Sequence, residues 1–60
     1  MDMSYSYDME NGFGDYVTII VRNDGSAECV VTDWNNVTDA IQFDSEDDAY
    51  DWAYRRGYRE

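Results

Sequence analysis

One segment, Asp44–Gly57, constrains the fold most, because it carries both a start and a stop signal for a helix. Ser45 can accept a hydrogen bond from a backbone N–H of the first turn, as N-cap residues do, and Asp48 stands three positions later, where a capping-box acid belongs. The helix is therefore predicted to begin at Glu46. The rest of the chain must supply the surface against which it packs.

The apolar stripe of this helix lies at Ala49, Trp52, Ala53 and Arg56. That spacing follows the 3.6-residue helical period, and the stem of Arg56 can cover apolar surface while its guanidinium stays in water. Gly57 suits a left-handed C′ cap, which would let Tyr58 fold back onto the last turn near Ala53. We predict that the helix ends at about Arg56 and that its stripe faces the core.

Two runs rich in β-branched residues, Asp15–Arg22 and Ala27–Thr32, predict a hairpin across Asn23–Gly25. The register of this hairpin depends on the length of its loop. A two-residue turn would place Val21 opposite Glu28, so that an apolar side chain faces an acid. That register would leave the apolar residues of the two strands poorly matched.

A three-residue loop, with Gly25 left-handed in a G1 bulge, gives a different register. Its expected pairs are Val21 with Ala27, Ile19 with Cys29 and Val17 with Val31. We prefer this register, because it collects six apolar side chains on one face of the hairpin. Cys29 is then a small core residue rather than a reactive thiol.

The flanking segments predict further strands. In residues 1–10, Met and Tyr at odd positions alternate with polar residues, which is the period of a half-buried strand, although such a terminus could also fray. Two glycines in Asn11–Gly14 predict a hairpin connection. Ala40–Phe43 is predicted as a short last strand. Asp33–Asp39 is predicted as a turn-rich connection, in which Trp34 either plugs the core edge or anchors a partner.

Together these elements predict an α+β fold in a single domain spanning residues 1–60. It comprises a three- or four-stranded antiparallel meander with the C-terminal helix packed on one face. Ten aromatic residues and an apolar content of 43% argue against disorder. A domain of this size buries only about 60% of the surface of its unfolded chain, so we expect modest stability.

The sequence contains no arrangement typical of catalysis. It has no histidine, so neither a serine nor Cys29 can use an imidazole base, and it has no phosphate-binding loop. Asp44, Glu46 and Asp48 alternate as in a calcium loop, but the central glycine and closing glutamate of an EF-hand are missing. We therefore expect no enzymatic activity, no cofactor and no metal site.

The formal net charge is −10, from 14 acidic residues against four arginines and no lysine. Such a field repels nucleic acid and anionic membranes, and it attracts basic protein surfaces, including those that hold nucleic acid. A single cysteine and the lack of a secretory signal suit the cytosol. We expect no direct binding of nucleic acid or membranes, a cytoplasmic location, and a monomer or weak homodimer.

Stability explains only part of the charge on the helix. Acids in its first turn and arginines in its last complement the macrodipole, and Asp51 can pair with Arg55. Asp47 and Asp51 repel each other at the same spacing, so a helix shaped by stability alone would not contain them both. The plainer interpretation is a solvated polar face. A second acidic group, expected on the solvent side and edge of the sheet, comprises Asp2, Asp8, Glu10 and Asp15, with Asp33 and Asp39 between the groups.

This short, His-free, strongly acidic and tyrosine-rich chain resembles small inhibitors encoded by phages and other mobile elements, notably anti-CRISPR proteins and DNA mimics. The resemblance lies in size, charge and composition. It implies a non-enzymatic inhibitor that binds a basic nucleic-acid-handling protein, with a CRISPR-Cas effector favoured, by presenting carboxylates where phosphates would sit. The alternative is a generic interaction module or homodimer that pairs through an exposed sheet edge, with the acidity serving solubility.

The residues predicted to contact the partner are acids of the helix and its N-terminal flank, with two neighbouring aromatic anchors. They are Asp44, Glu46, Asp47, Asp48, Asp51, Tyr50 and Tyr54. On a helix, side chains three and four positions apart are roughly 5–6 Å from one another, which is comparable to the spacing of phosphates along one strand of DNA.

Overall fold

A computed structural model describes residues 3–33 and 36–60 of the chain. The elements are β1 (Met3–Glu10), β2 (Asp15–Arg22), β3 (Ala27–Asp33), β4 (Asn36–Phe43) and α1 (Glu46–Arg55). The strands form one antiparallel sheet in the order β1-β2-β3-β4, so each strand pairs with its neighbour in sequence. The predicted α+β meander is confirmed, and it has four strands.

The β2–β3 hairpin has the register that burial favoured. Its facing pairs are Val21 with Ala27, Ile19 with Cys29 and Val17 with Val31. The loop closes with a hydrogen bond of 2.9 Å from the Arg22 N–H to the Ser26 carbonyl, and Gly25 has φ of 94°. A left-handed residue at this position is what a three-residue loop requires, so the prediction is confirmed.

The start of β4 corrects the sequence prediction. The strand begins at Asn36 rather than Ala40, so residues 37–39 belong to the sheet and not to a turn-rich connection. Asp33 at the end of β3 pairs with Asn36, and the ladder that follows outweighs the weak strand propensity of Asn and Asp. Trp34, for which the sequence left a core and an interface role open, lies outside the described residues.

β1 becomes more exposed toward its first residues. Met9 is fully buried and Tyr7 is half-buried, whereas Tyr5 is 46% exposed. The pairing with β2 also shifts between Met3 and Tyr5. The predicted N-terminal strand is confirmed from Met3 onward, and residues 1 and 2 lie outside the described part of the chain.

The core lies between one face of the sheet and α1. Its buried apolar residues are Met9, Val17, Ile19, Val21, Ala27, Cys29, Ala49, Ala53 and Tyr58. The helix contributes two alanines, and these small side chains let its axis approach the sheet. Trp52 lies to one side against Phe43, with ring centroids 6.1 Å apart, and the Arg56 guanidinium is 4.5 Å from the Trp52 ring centroid. The predicted stripe therefore faces the core as expected.

Both ends of α1 have the predicted caps. The Ser45 hydroxyl accepts a hydrogen bond of 3.2 Å from the backbone of the first turn. At the other end Gly57 has φ of 93°. The N–H groups of Gly57 and Tyr58 donate to the carbonyls of Tyr54 and Ala53, both at 3.1 Å, which is the Schellman arrangement. This turn directs Tyr58 into the core.

The residues after the helix are tied to the sheet. Arg59 and Glu10 exchange two backbone hydrogen bonds, of 2.8 and 2.9 Å. The tail therefore covers one end of the outer edge of β1. It also brings Glu60 close to the helix, on the side that faces β1.

Candidate functional site

A cleft of about 530 Å³ lies between α1, β1 and the C-terminal tail. It is lined by three tyrosines and four acids, namely Tyr7, Glu46, Asp47, Tyr50, Asp51, Tyr54 and Glu60. Five of these residues come from α1, where spacings of four positions align them beside the buried alanines. One helix thus packs one face on the sheet and turns the adjacent face toward the cleft.

The carboxylate of Glu46 is held by two hydroxyls from β1. Tyr7 donates to its Oε2 at 2.8 Å, and Tyr5 donates to its Oε1. The two tyrosines are two positions apart on a strand, so they share a face, and their rings stack with centroids 6.2 Å apart. Donation from Tyr5 and then Tyr7 lowers the pKa of Glu46, while burial and the bond to Glu46 raise the pKa of Tyr7.

The helix side of the cleft is an aromatic wall. Tyr50 and Tyr54, one turn apart, stack with ring centroids 6.2 Å apart and an angle of 20° between their planes. The guanidinium of Arg59 lies 3.8 Å from the Tyr54 ring centroid and donates to the carbonyls of Tyr54 and Tyr58 at 2.9 and 2.7 Å. A cation from the chain's own tail therefore already contacts one ring of this wall.

The acids of the helix differ in how far they are neutralised. Asp51 pairs with Arg55 at 2.9 Å, although both side chains are mostly exposed. This i, i+4 pair was anticipated, and it explains Asp51 without any function. Asp44, Asp47 and Asp48 are exposed, and within residues 3–33 and 36–60 none of them has a cationic partner.

Of the seven predicted contact residues, the fold gathers five around the cleft. Glu46, Asp47, Asp51, Tyr50 and Tyr54 line it, whereas the exposed side chains of Asp44 and Asp48 lie outside its lining.

No local pattern in the sequence identifies Tyr5, Tyr7 or Glu60 as part of the site. The alternating pattern of β1 put Tyr5 and Tyr7 on one face, but only the crossing of α1 over the sheet shows that this face meets Glu46. Glu60 arrives through the backbone pairing of the tail with β1, for which the sequence has no local signal.

Acids of the second group lie against other side chains of the sheet. Asp8 accepts a hydrogen bond from Thr18 at 2.7 Å. Asp15 and Asp33 are directly opposite each other on β2 and β3. A hydrogen bond with Asp15, together with the charge of that neighbour, raises the pKa of Asp33. Asp2 lies outside the described residues.

The chain matches no protein-family model, no curated protein and no solved structure. Across the two described ranges, no group of three or more His, Cys, Asp or Glu side chains is placed to hold a metal ion. In the same part of the chain, no helix has the length and apolar character needed to cross a membrane.

Proposed function

We propose that this protein is a non-enzymatic inhibitor that binds a basic, nucleic-acid-handling protein in the cytoplasm, with a CRISPR-Cas effector as the favoured target. It does so by presenting carboxylates where phosphates would sit. The observation that carries the proposal is the unneutralised start of α1, where Asp44, Asp47 and Asp48 are exposed without a cationic partner among the described residues.

The four arginines of the chain are occupied elsewhere in the fold. They lie against other groups: Arg22 with Glu28, Arg55 with Asp51, Arg56 with Trp52 and Arg59 with Tyr54. The first turn of α1 and its flank therefore concentrate negative charge on a protein that already carries a net charge of −10. A groove built to hold phosphates would attract such a surface and raise the rate of encounter.

The proposal is tested by measuring binding to purified CRISPR effector complexes, with lysozyme as a basic protein that has no nucleic-acid groove. Binding should be selective for the effector, should weaken steeply with salt, and should be competed by the nucleic acid of the effector. Binding to lysozyme with equal affinity, or to neither protein, contradicts the proposal.

Two triple variants with the same change in net charge test whether binding depends on the acids at the start of α1 or only on the overall negative charge of the protein. Asp44→Asn, Asp47→Asn and Asp48→Asn together should abolish binding. Asp8→Asn, Glu10→Gln and Asp39→Asn together, which change acids of the sheet, should preserve most of it. Equal weakening by both triple variants would show that only the net charge matters.

A second candidate is pairing through a sheet edge, which the length of β4 favours. β4 is an edge strand of eight residues, twice the length that the sequence predicted, and Val37 near its start is 67% exposed. Long exposed edges are templates for pairing with another strand. A concentration-dependent dimer mass that persists at high salt would favour this candidate, and a monomer at all concentrations would exclude a homodimer.

A further inference from the structure

We propose that the tyrosine-lined cleft receives the side chain of a single arginine from the partner protein. This inference rests on the proposed function for the existence of a basic partner, and it adds the mode of contact. An arginine would enter between the Tyr50–Tyr54 wall and Tyr7, with its guanidinium near Glu46 and Asp47.

The size and lining of the cleft suit one cationic side chain. Its volume of about 530 Å³, within the range of roughly 300–1,000 Å³ that holds a drug-sized ligand, leaves ample room for one side chain. Three tyrosine rings offer π faces, which attract cations. Four carboxylates around the same cleft repel an anionic ligand. They also disfavour an apolar ligand, which would remove water from the carboxylates without offering them hydrogen bonds in return.

The carboxylates are arranged so that they remain available to an incoming donor. Glu46 is fixed at the cleft by the hydroxyls of Tyr5 and Tyr7, and each of its oxygens has further acceptor capacity. Asp47 lines the cleft and has no cationic partner in residues 3–33 and 36–60. Asp51 is already paired with Arg55, so Glu46, Asp47 and Glu60 are the acids that remain to accept hydrogen bonds from a bound cation.

Arginine fits this combination better than lysine does. Its guanidinium is planar, stacks on aromatic faces and forms paired hydrogen bonds with carboxylates, whereas an ammonium is a compact and strongly hydrated charge. The fold itself contains a contact of this kind, since the Arg59 guanidinium lies 3.8 Å from the Tyr54 ring centroid. One face of the Tyr54 ring is thus already occupied by Arg59, and this contact shows that a guanidinium can stack against the aromatic wall.

The test uses a blocked peptide, acetyl-Gly-Arg-Gly-amide, titrated into the full-length protein and followed by NMR. Two further peptides replace arginine with lysine or with citrulline, which keeps the shape and loses the charge. We expect millimolar binding, with shifts concentrated at Tyr7, Tyr50 and Tyr54. Arginine should bind about two- to five-fold more tightly than lysine, the order of a single exposed cation–π contact, and citrulline should not bind.

Variants on the surface of α1 make the test local without disturbing the core. Tyr54→Leu keeps apolar volume but removes a ring, and Asp47→Asn removes one charge from the cleft. Each should weaken arginine binding about two- to five-fold. Asp39→Asn is the matched control, because it removes one exposed charge outside the cleft lining and should leave the affinity unchanged. Equal effects of Asp39→Asn and Asp47→Asn, or shifts spread over all acidic surfaces, would overturn the inference.

The arginine cleft and the proposed function can each be wrong without the other. If an effector binds and its affinity depends on Asp44 and Asp48 but not on Tyr54 or Asp47, the proposed function stands and the arginine cleft is wrong. If the arginine peptide binds the cleft as described but no nucleic-acid-handling protein binds the chain, the cleft stands as an arginine site and the proposed function is wrong.

Discussion

The Tyr7 hydroxyl donates a 2.8 Å hydrogen bond to the Glu46 carboxylate, which joins β1 to the first turn of α1 across 39 positions of the sequence. The same bond orients the carboxylate at the cleft. Tyr7 is half-buried, so this contact is partly shielded from water. One acidic side chain therefore both links β1 to α1 and helps to shape the candidate site.

Tyr7→Phe should destabilise the protein by about 1–2 kcal/mol at pH 7, because it removes a donor to a charged acceptor. The pKa of Glu46 is lowered in the folded state, first by Tyr5 and then by Tyr7. The ionised Glu46 carboxylate therefore contributes to folding stability above the pKa that Glu46 has in the unfolded chain. This contribution is lost as the pH falls through the pKa of Glu46 in the folded state. In urea unfolding, the free energy of unfolding of Tyr7→Phe should fall below that of the parent by the full amount at pH 7 and by much less near pH 2.

Tyr16→Phe is the control for this measurement, since it removes a tyrosine hydroxyl from β2 and leaves the contact with Glu46 intact. It should show no comparable pH-dependent loss. A penalty for Tyr7→Phe that stays constant from pH 7 to pH 2 would mean that the Tyr7 hydroxyl stabilises the fold without help from the charge of Glu46.

Asp33→Asn should stabilise the protein at pH 7. Asp15 faces Asp33 directly across β2 and β3, and like charges at directly opposite positions destabilise a sheet. The hydrogen bond with Asp15 raises the pKa of Asp33, so the folded state holds this proton more tightly than the unfolded chain does. The repulsion between Asp15 and Asp33 is absent below the pKa that Asp33 has in the unfolded chain. Folding stability is lost as the pH rises through the pKa of Asp33 in the folded state.

Thermal unfolding of Asp33→Asn and of the parent should therefore converge near pH 3 and diverge by pH 7. Asp39→Asn is the matched control, because Asp39 is opposite Val31 and the change in net charge is the same. If both variants stabilise equally, the gain comes from reducing the net charge of −10 and not from the pair.

The sequence predicted most successfully those features that depend on neighbouring residues. The register of the β2–β3 hairpin followed from Gly25 and from the need to keep Ile19 and Cys29 on one face. The caps of α1 followed from Ser45 and Gly57, whose roles are local. In each case one hairpin register, or one position for the end of the helix, allowed better burial and hydrogen bonding than the alternative registers or positions.

Features that depend on tertiary placement were not predictable in the same way. β4 extends back to Asn36 because pairing with β3 overrides the local preference of polar residues for turns. The cleft exists only because α1 crosses the sheet beside β1 and the tail pairs with Glu10. The repulsion between Asp47 and Asp51 is a cost that the sequence shows, and the ion pair with Arg55 offsets it for Asp51, whereas Asp47 has only its place in the first turn of α1.

Cys29 should react very slowly with thiol reagents while the protein is folded. The side chain is fully buried, and burial, followed by the charge of Glu28, raises its pKa to about 11. A 60-residue domain with about 3–9 kcal/mol of stability should suppress labelling through global unfolding by a factor of ~10² or more. Labelling with iodoacetamide at pH 8 should accelerate in proportion to the unfolded fraction as urea is added. Rapid labelling without urea would show that α1 opens away from the sheet locally.

Gly57→Ala should destabilise the protein by about 1–2 kcal/mol, which corresponds to roughly 4–16 °C in Tm for a domain of this size. Gly57 has φ of 93°, and a methyl group built there would meet no heavy atom within 4 Å, so the cost comes from the backbone alone. Gly57→Asn should cost less, because asparagine tolerates the left-handed region better. Thermal unfolding followed by circular dichroism measures both changes. Equal losses for alanine and asparagine would mean that the substitutions displace Tyr58 from the core, rather than straining the cap.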